Sequence, residues 1–375
     1  MNRIVIIGNG FDLAHGLKTS YKDFINWYWE DCGDRLLHCH NKTVADGLCS
    51  FELKDSINLH CWSHVWGYHY QRSNPLKPWN LNDVVSLAQK NKDLCDFSFT
   101  SPLLKRIWNQ LLLGWVDIEN EYFSLLTEEK LTIDKSLISQ NYKELNSQLN
   151  ILRDKLIQYL KRESENEIPV IDNINDIIYK PIKEREISVA YKRSLGGNTI
   201  DDIIPYATMF LNFNYTKTPE MYLSPSSKVL VNYIHGNLEN PESVIFGYGD
   251  ELDSGFKKLQ NMNDNECLRH IKSIRYLESD SYRKMLEFIE SDSFQIIIMG
   301  HSCGLSDRTL LSTLFEHENC VSIKPCYYIN KDGIDNHLDI IQNISRNFTD
   351  MKLMRDRVVN KTFCEPFVNY KESQE

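Results

Sequence analysis

The chain has 375 residues, 42% of them apolar and 25% charged, with a formal charge of −10 at pH 7. That composition belongs to a globular protein long enough for two domains, or for one domain with a large insertion. The acidic balance, uninterrupted by any long Lys/Arg cluster, argues against an electrostatic grip on DNA or RNA. No apolar stretch approaches the ~20 residues of a membrane helix.

In chain order, residues 4–7 form a short apolar strand that runs directly into Gly8-Asn9-Gly10-Phe11-Asp12. A buried strand ending in glycines is how nucleotide-binding α/β folds begin. The spacing departs from the dinucleotide fingerprint, because Leu13 stands where a third small residue is expected. Asp12 also places negative charge where phosphates would sit. Residues 25–200 read as helical and aromatic instead. Apolar residues recur at helical spacing over 101–126 and 136–161, and all seven tryptophans precede residue 116. Residues 33–100 lack periodicity and read as long loops. Strand-like runs return at 208–213, 228–234, 244–246, 294–299 and 320–329. The fold class read from this is α/β, a Rossmann-like, mostly parallel sheet with a large helical insertion after the first strand and turn. The sheet domain takes residues 1–24 plus 200–375, and the Trp-rich insertion takes 25–199.

The ten cysteines contain no Cys-x-x-Cys pair, and His38-Cys39-His40 is the only dense cluster of ligand types. Structural zinc needs paired ligands at short spacing, so no metal is expected. Scattered single cysteines without a secretory signal indicate reduced thiols and a cytoplasmic protein.

Four polar turns follow four predicted strands: Gly8 to Asp12, Asn212-Phe213-Asn214-Tyr215-Thr216, Ile234-His235-Gly236-Asn237, and Gly300-His301-Ser302 through Asp307. Ligands of open parallel sheets bind outside the carboxyl ends of the strands, so the four turns describe one convergent polar pocket. Bland alternatives stand beside this. Asn9 and Asn214 are residues that satisfy turn backbone groups, and His235 is either packed or presented in the cleft. Asp12 and Asp307 each precede a helical pattern and read equally well as helix caps.

Residues 8–16 followed by Thr19-Ser20-Tyr21-Lys22-Asp23-Phe24 resemble the opening signature of the AbiH family of bacterial abortive-infection proteins. Trp115-Val116-Asp117-Ile118-Glu119, Asn212 to Tyr215, and His235-Gly236 also resemble that family's motifs. The resemblance implies defence against bacteriophage. The four turns are more remotely similar to the sirtuin-like NAD-binding fold, in which Asn214-Tyr215, His235 and Gly300-His301-Ser302 would take the corresponding positions. Thr216 replaces the Asp of that pattern, and no four-cysteine zinc ribbon is present. The resemblance implies NAD, or a related nucleotide, as substrate or ligand. On it His235, Asn214 and Asp12 are catalytic, while Gly8, Asn9, Gly10, Phe11, Tyr215, Gly236, Gly300, Ser302 and Asp307 bind the nucleotide. A nucleotide sensor without turnover is the alternative. A homo-oligomer is compatible with either reading.

Overall fold

The computed structural model describes residues 1–37, 43–54, 95–112, 117–128, 135–196, 201–224 and 228–370. Ten strands lie among them: β1 (Asn2–Ile7), β2 (Thr43–Ala45), β3 (Cys49–Leu53), β4 (Cys95–Phe99), β5 (Thr208–Asn212), β6 (Val229–Tyr233), β7 (Phe294–Met299), β8 (Cys320–Pro325), β9 (Tyr327–Ile329) and β10 (Pro366–Asn369). The chain divides into two compact units. One comprises Met1–Leu17, Leu160–Asn263 and His270–Glu375, and the other Lys18–Tyr159 and Asp264–Arg269.

The first unit is built on a five-stranded sheet in the order β6-β5-β1-β7-β8, with every pairing parallel. Numbered within the sheet this is 3-2-1-4-5, the doubly wound order, whose chain reversal falls between β1 and β7. β1, β5, β7 and β8 are buried along their whole length, which is why they read as nearly continuous apolar runs. Successive side chains serve opposite faces. Ile4, Ile6, Met209, Leu211, Ile296 and Ile298 pack with Met285, Ile289, Leu310 and Leu314 on one side. Val5, Ile7, Phe210, Ile297 and Met299 pack with Ile174, Ile177 and Ile178 on the other. The result is a helix–sheet–helix sandwich.

Two expected strands turn out differently. Residues 244–246 are buried but form no strand, because a turn at Pro241–Ser243 precedes them and Ile245 N donates to a single carbonyl, that of His235, at 2.9 Å. The run over 320–329 breaks at Cys326. β8 stays in the main sheet, while β9 pairs with β10 in a separate two-stranded sheet.

A buried polar network is anchored near the amino ends of β1 and β7. Arg3 donates from Nε and Nη2 to Gln295 Oε1 and from Nη1 to the Ile178 carbonyl at 2.7 Å. Gln295 Nε2 donates to Glu186 at 3.0 Å, and Lys324 Nζ meets the other Glu186 oxygen at 2.8 Å. Burial pulls the Arg3 guanidinium down to about 10, although Glu186 opposes this.

The second unit combines helices at Tyr21–Leu37, Pro102–Leu112 and Ile118–Thr127 with most of the helix Lys135–Glu163. Asp117 caps Ile118–Thr127 by accepting from Asn120 N. Part of the stretch read as loop is instead an antiparallel sheet, β2-β3-β4. Its apolar signal is carried by strands of three to five residues, below the window in which periodicity is visible. Trp29 lies at the centre of an edge-to-face aromatic cluster with Phe97, Phe99 and Trp108. Trp62, Trp66, Trp79, Trp115 and the His38-Cys39-His40 cluster lie outside the described residues. Among the described residues no helix is long and apolar enough to cross a membrane.

Candidate functional site

Sheet register explains why the four polar turns meet. Ile7 pairs with both Asn212 and Met299, and Asn212 pairs with Tyr233, so these four residues form one row. The next residues, Gly8, Phe213, Ile234 and Gly300, leave the sheet together, and Asn214, His235 and His301 stand one step further out. All belong to the first unit.

Between β1 and β7 the backbones touch. Gly10 N donates to the Gly300 carbonyl at 2.8 Å. A Cβ on Gly8 would come within 2.5 Å of His301 Cα, and one on Gly10 within 2.9 Å of Gly300 Cα. Gly300 sits at φ +70°, and its Cβ would fall on the backbone nitrogen of Phe11. These three glycines therefore have a packing reason that is independent of any ligand. Phe11 itself is fully buried, edge-on to Tyr222 and beside His15. Asn9, the first residue of α1 (Asn9–Ala14), is half-buried.

Asp12 is 1% exposed. Thr216 Oγ1 donates to its Oδ2 at 2.7 Å, and Thr218 stands behind Thr216 at 3.4 Å. Asp12 Oδ1 makes no hydrogen bond among the described residues. Burial pushes this carboxyl up to about 6, with Thr216, Thr218 and Asn214 partly offsetting the shift. It does not act as a helix cap, since α1 has already begun three residues earlier. Asn214 Nδ2 donates to the Gly8 carbonyl at 2.9 Å, tying the β5 turn to the β1 turn. Asn212, meanwhile, shapes the turn by accepting from Asn214 N and donating to the Thr216 carbonyl.

A second cluster centres on Asp307. Its carboxylate does not cap the helix that follows it. Instead Oδ1 takes Lys272 Nζ at 2.9 Å and His235 Nε2 at 3.3 Å, and Oδ2 faces His301 Nε2 at 3.7 Å. Burial opposes ionisation of Asp307, but the Lys272 ammonium and His235 outweigh it and hold the carboxyl well below its ordinary range. His301 Nδ1 accepts from Cys303 N at 3.0 Å, which assigns its proton to Nε2, toward Asp307. His235 stacks on Tyr276, whose hydroxyl is 3.2 Å from Nε2, and meets the edge of Phe213. Burial, followed by the Lys272 charge, lowers its basicity, so the ring is neutral at pH 7. With the proton on Nε2, which faces both the Tyr276 hydroxyl and Asp307, the lone pair lies on Nδ1, to which no described residue donates.

The remaining sequence candidates are more peripheral. Tyr215 is half-buried and its hydroxyl donates to the Ile245 carbonyl at 3.0 Å. Gly236, at φ +81°, packs on the Ser243 carbonyl. Ser302 is exposed and its carbonyl accepts from Asn343. Lys272 and Tyr276 were missed, because no motif or periodicity marks either one. Thr216 was visible only as a departure from an expected Asp.

Residues 4–328 match the family model described as bacteriophage abortive infection AbiH. Neither a curated protein nor a solved structure matches the chain. A match over that much of the sequence leaves one conclusion: the chain belongs to the AbiH family of bacteriophage abortive infection proteins.

Proposed function

We propose that the chain acts in phage defence by binding NAD, or a related nucleotide, over the carboxyl edge of the sheet and hydrolysing its nicotinamide–ribose bond. The observation that carries this reading is Asp12, a deeply buried carboxyl with one oxygen left without a hydrogen bond. Such an oxygen suits a ligand that brings positive charge. In the proposed step the C1′–N bond breaks and its electron pair neutralises the pyridinium, releasing nicotinamide. Water adds to the ribosyl carbon and gives its proton to His235 Nδ1. Asp12 opposes the oxocarbenium charge, and Asn214 Oδ1 orients the ribose or the water. Asp307 holds His235 in the tautomer that the step requires.

A sensor that binds without turnover is the second reading. It is favoured by the commitment of the Asn214 amide to Gly8 and by the clamp on His235. Incubating purified protein with NAD and following nicotinamide by chromatography separates the two. Nicotinamide release that falls at least ~100-fold in His235→Ala supports hydrolysis. Thermal stabilisation by NAD without release supports the sensor. An intact NAD pool with no thermal shift overturns both.

A further inference from the structure

In the second unit, Cys32 on the helix Tyr21–Leu37, Cys49 at the start of β3 and Asp46 bring their ligand atoms within 4.8 Å of one another. We propose that Cys32 and Cys49 are a peroxide-reactive thiol pair that closes a reversible disulfide, with Arg35 and Tyr28 as the groups that position the two sulfurs. Arg35 Nη2 lies 2.9 Å from Cys32 Sγ and 2.8 Å from Asp46 Oδ2. Tyr28 Oη lies 3.3 Å from Cys49 Sγ and 3.0 Å from the same Asp46 oxygen. Asp46 Oδ1 is spent on the backbone N–H groups of Leu48 and Cys49. The carboxylate thus fixes a guanidinium against one thiol and a phenol against the other.

Three candidate ligands invite a metal reading, but a guanidinium already stands where a metal's charge would be needed. It satisfies Asp46, and its positive charge beside Cys32 Sγ opposes a coordinated cation there. Both cysteines are buried and neither is in a disulfide, and burial holds the Cys32 thiol well above its ordinary range. The Arg35 side chain above them is 29% exposed, which leaves the cluster one side chain from solvent. Hydrogen peroxide is small enough to reach it and is the oxidant named here. Cys32 thiolate attacks a peroxide oxygen and the O–O bond breaks, giving the sulfenic acid and, after protonation, water. Cys49 then attacks the sulfenic sulfur and expels a second water, so two thiols and one peroxide give one disulfide and two waters.

The test treats the full chain with hydrogen peroxide, alkylates the remaining thiols and maps cross-linked peptides without reduction. A Cys32–Cys49 peptide, with two thiols lost and regained on adding dithiothreitol, is the expected result. In Cys49→Ser, Cys32 should be trapped by dimedone as the sulfenic acid. In Arg35→Met, loss of the Cys32 thiol should slow severalfold, and the wild-type map stands without either variant if one fails to fold. Three results would each overturn the proposal: Cys32 and Cys49 both unmodified, Cys32 linked to a different cysteine, or purified protein retaining equimolar zinc that Cys32→Ser loses.

Discussion

A carboxylate that is 1% exposed and leaves one oxygen without a hydrogen bond destabilises the fold whenever it is charged. Because burial pushes Asp12 up to about 6, its contribution to stability is present below about pH 4, where it is protonated in both states, and is lost as pH rises through about 6. The shift corresponds to about 3 kcal/mol. Asp12→Asn should therefore stabilise the protein at pH 7 and remove the wild-type fall in stability between pH 4 and 6; on the function proposed above it should also abolish nicotinamide release from NAD. Urea unfolding across that range checks it, and a less stable variant at pH 7 refutes it. Lys272 makes the opposite case. Lys272→Met leaves Asp307 charged and buried between two histidines and should cost ~3–5 kcal/mol. The double variant with Asp307→Asn should recover most of that loss, and equal losses in single and double would show that the pair is not coupled. Asp12 could be singled out in the sequence, since a charge in a glycine turn is conspicuous on its own. Lys272 could not, because its role is defined only by a carboxylate 35 residues away.

At the scale of elements, the sheet strands were legible because parallel strands buried on both faces must be apolar throughout. The helices Pro102–Leu112, Ile118–Thr127 and Lys135–Glu163 were legible from their 3.6-residue period. β2, β3 and β4 were not, since strands of three to five residues carry little local pattern and β4 lies more than 40 residues beyond the β3 it pairs with. The convergence of the four turns followed from where strands end, but their interlocking needed coordinates. The glycine loop read as an opening for a ligand is also a seam between two backbones. Gly300→Ala should therefore be far more damaging than Gly16→Ala. Gly16 has the same sign of φ, at +88°, but open space around it, so its cost should stay near ~1 kcal/mol. Gly300→Ala adds a collision with the Phe11 backbone and should lose several times as much. Similar urea midpoints for the two would show that the seam yields.

Across the whole molecule, the two ends of the main sheet do different work. Arg3 and Gln295, near the amino ends of β1 and β7, anchor the buried network that runs through Glu186 to Lys324, and the carboxyl ends carry the oxygen that Asp12 leaves unbonded. Substitutions should separate accordingly. Glu186→Gln removes the nearer of the two carboxylates on the Lys324 ammonium, leaving Glu365 at 3.3 Å, and should lower the melting temperature, with protection of cells against phage retained at permissive temperature. His235→Ala removes a buried ring packed on Phe213 and Tyr276, so it should lower the melting temperature too, but it should lose protection even at temperatures where the protein stays folded. Phage plating efficiency alongside thermal denaturation reads both, and a His235→Ala protein that still protects would remove His235 from the defence activity.

The seam at Gly8, Gly10 and Gly300 has a consequence for how this protein can change over time. A crowded contact elsewhere in a core can be relieved by shrinking the neighbour, and that is how damaging substitutions acquire second-site suppressors. At Gly10 and Gly300 every near neighbour is main chain, so nothing remains to be made smaller; at Gly8 the His301 side chain could be trimmed, but its Cα at 2.5 Å would still be in the way. A side chain introduced at any of the three positions has no compensating partner within the contact. The strand ends that carry the polar turns are thus joined at a point where this fold has no route to adapt.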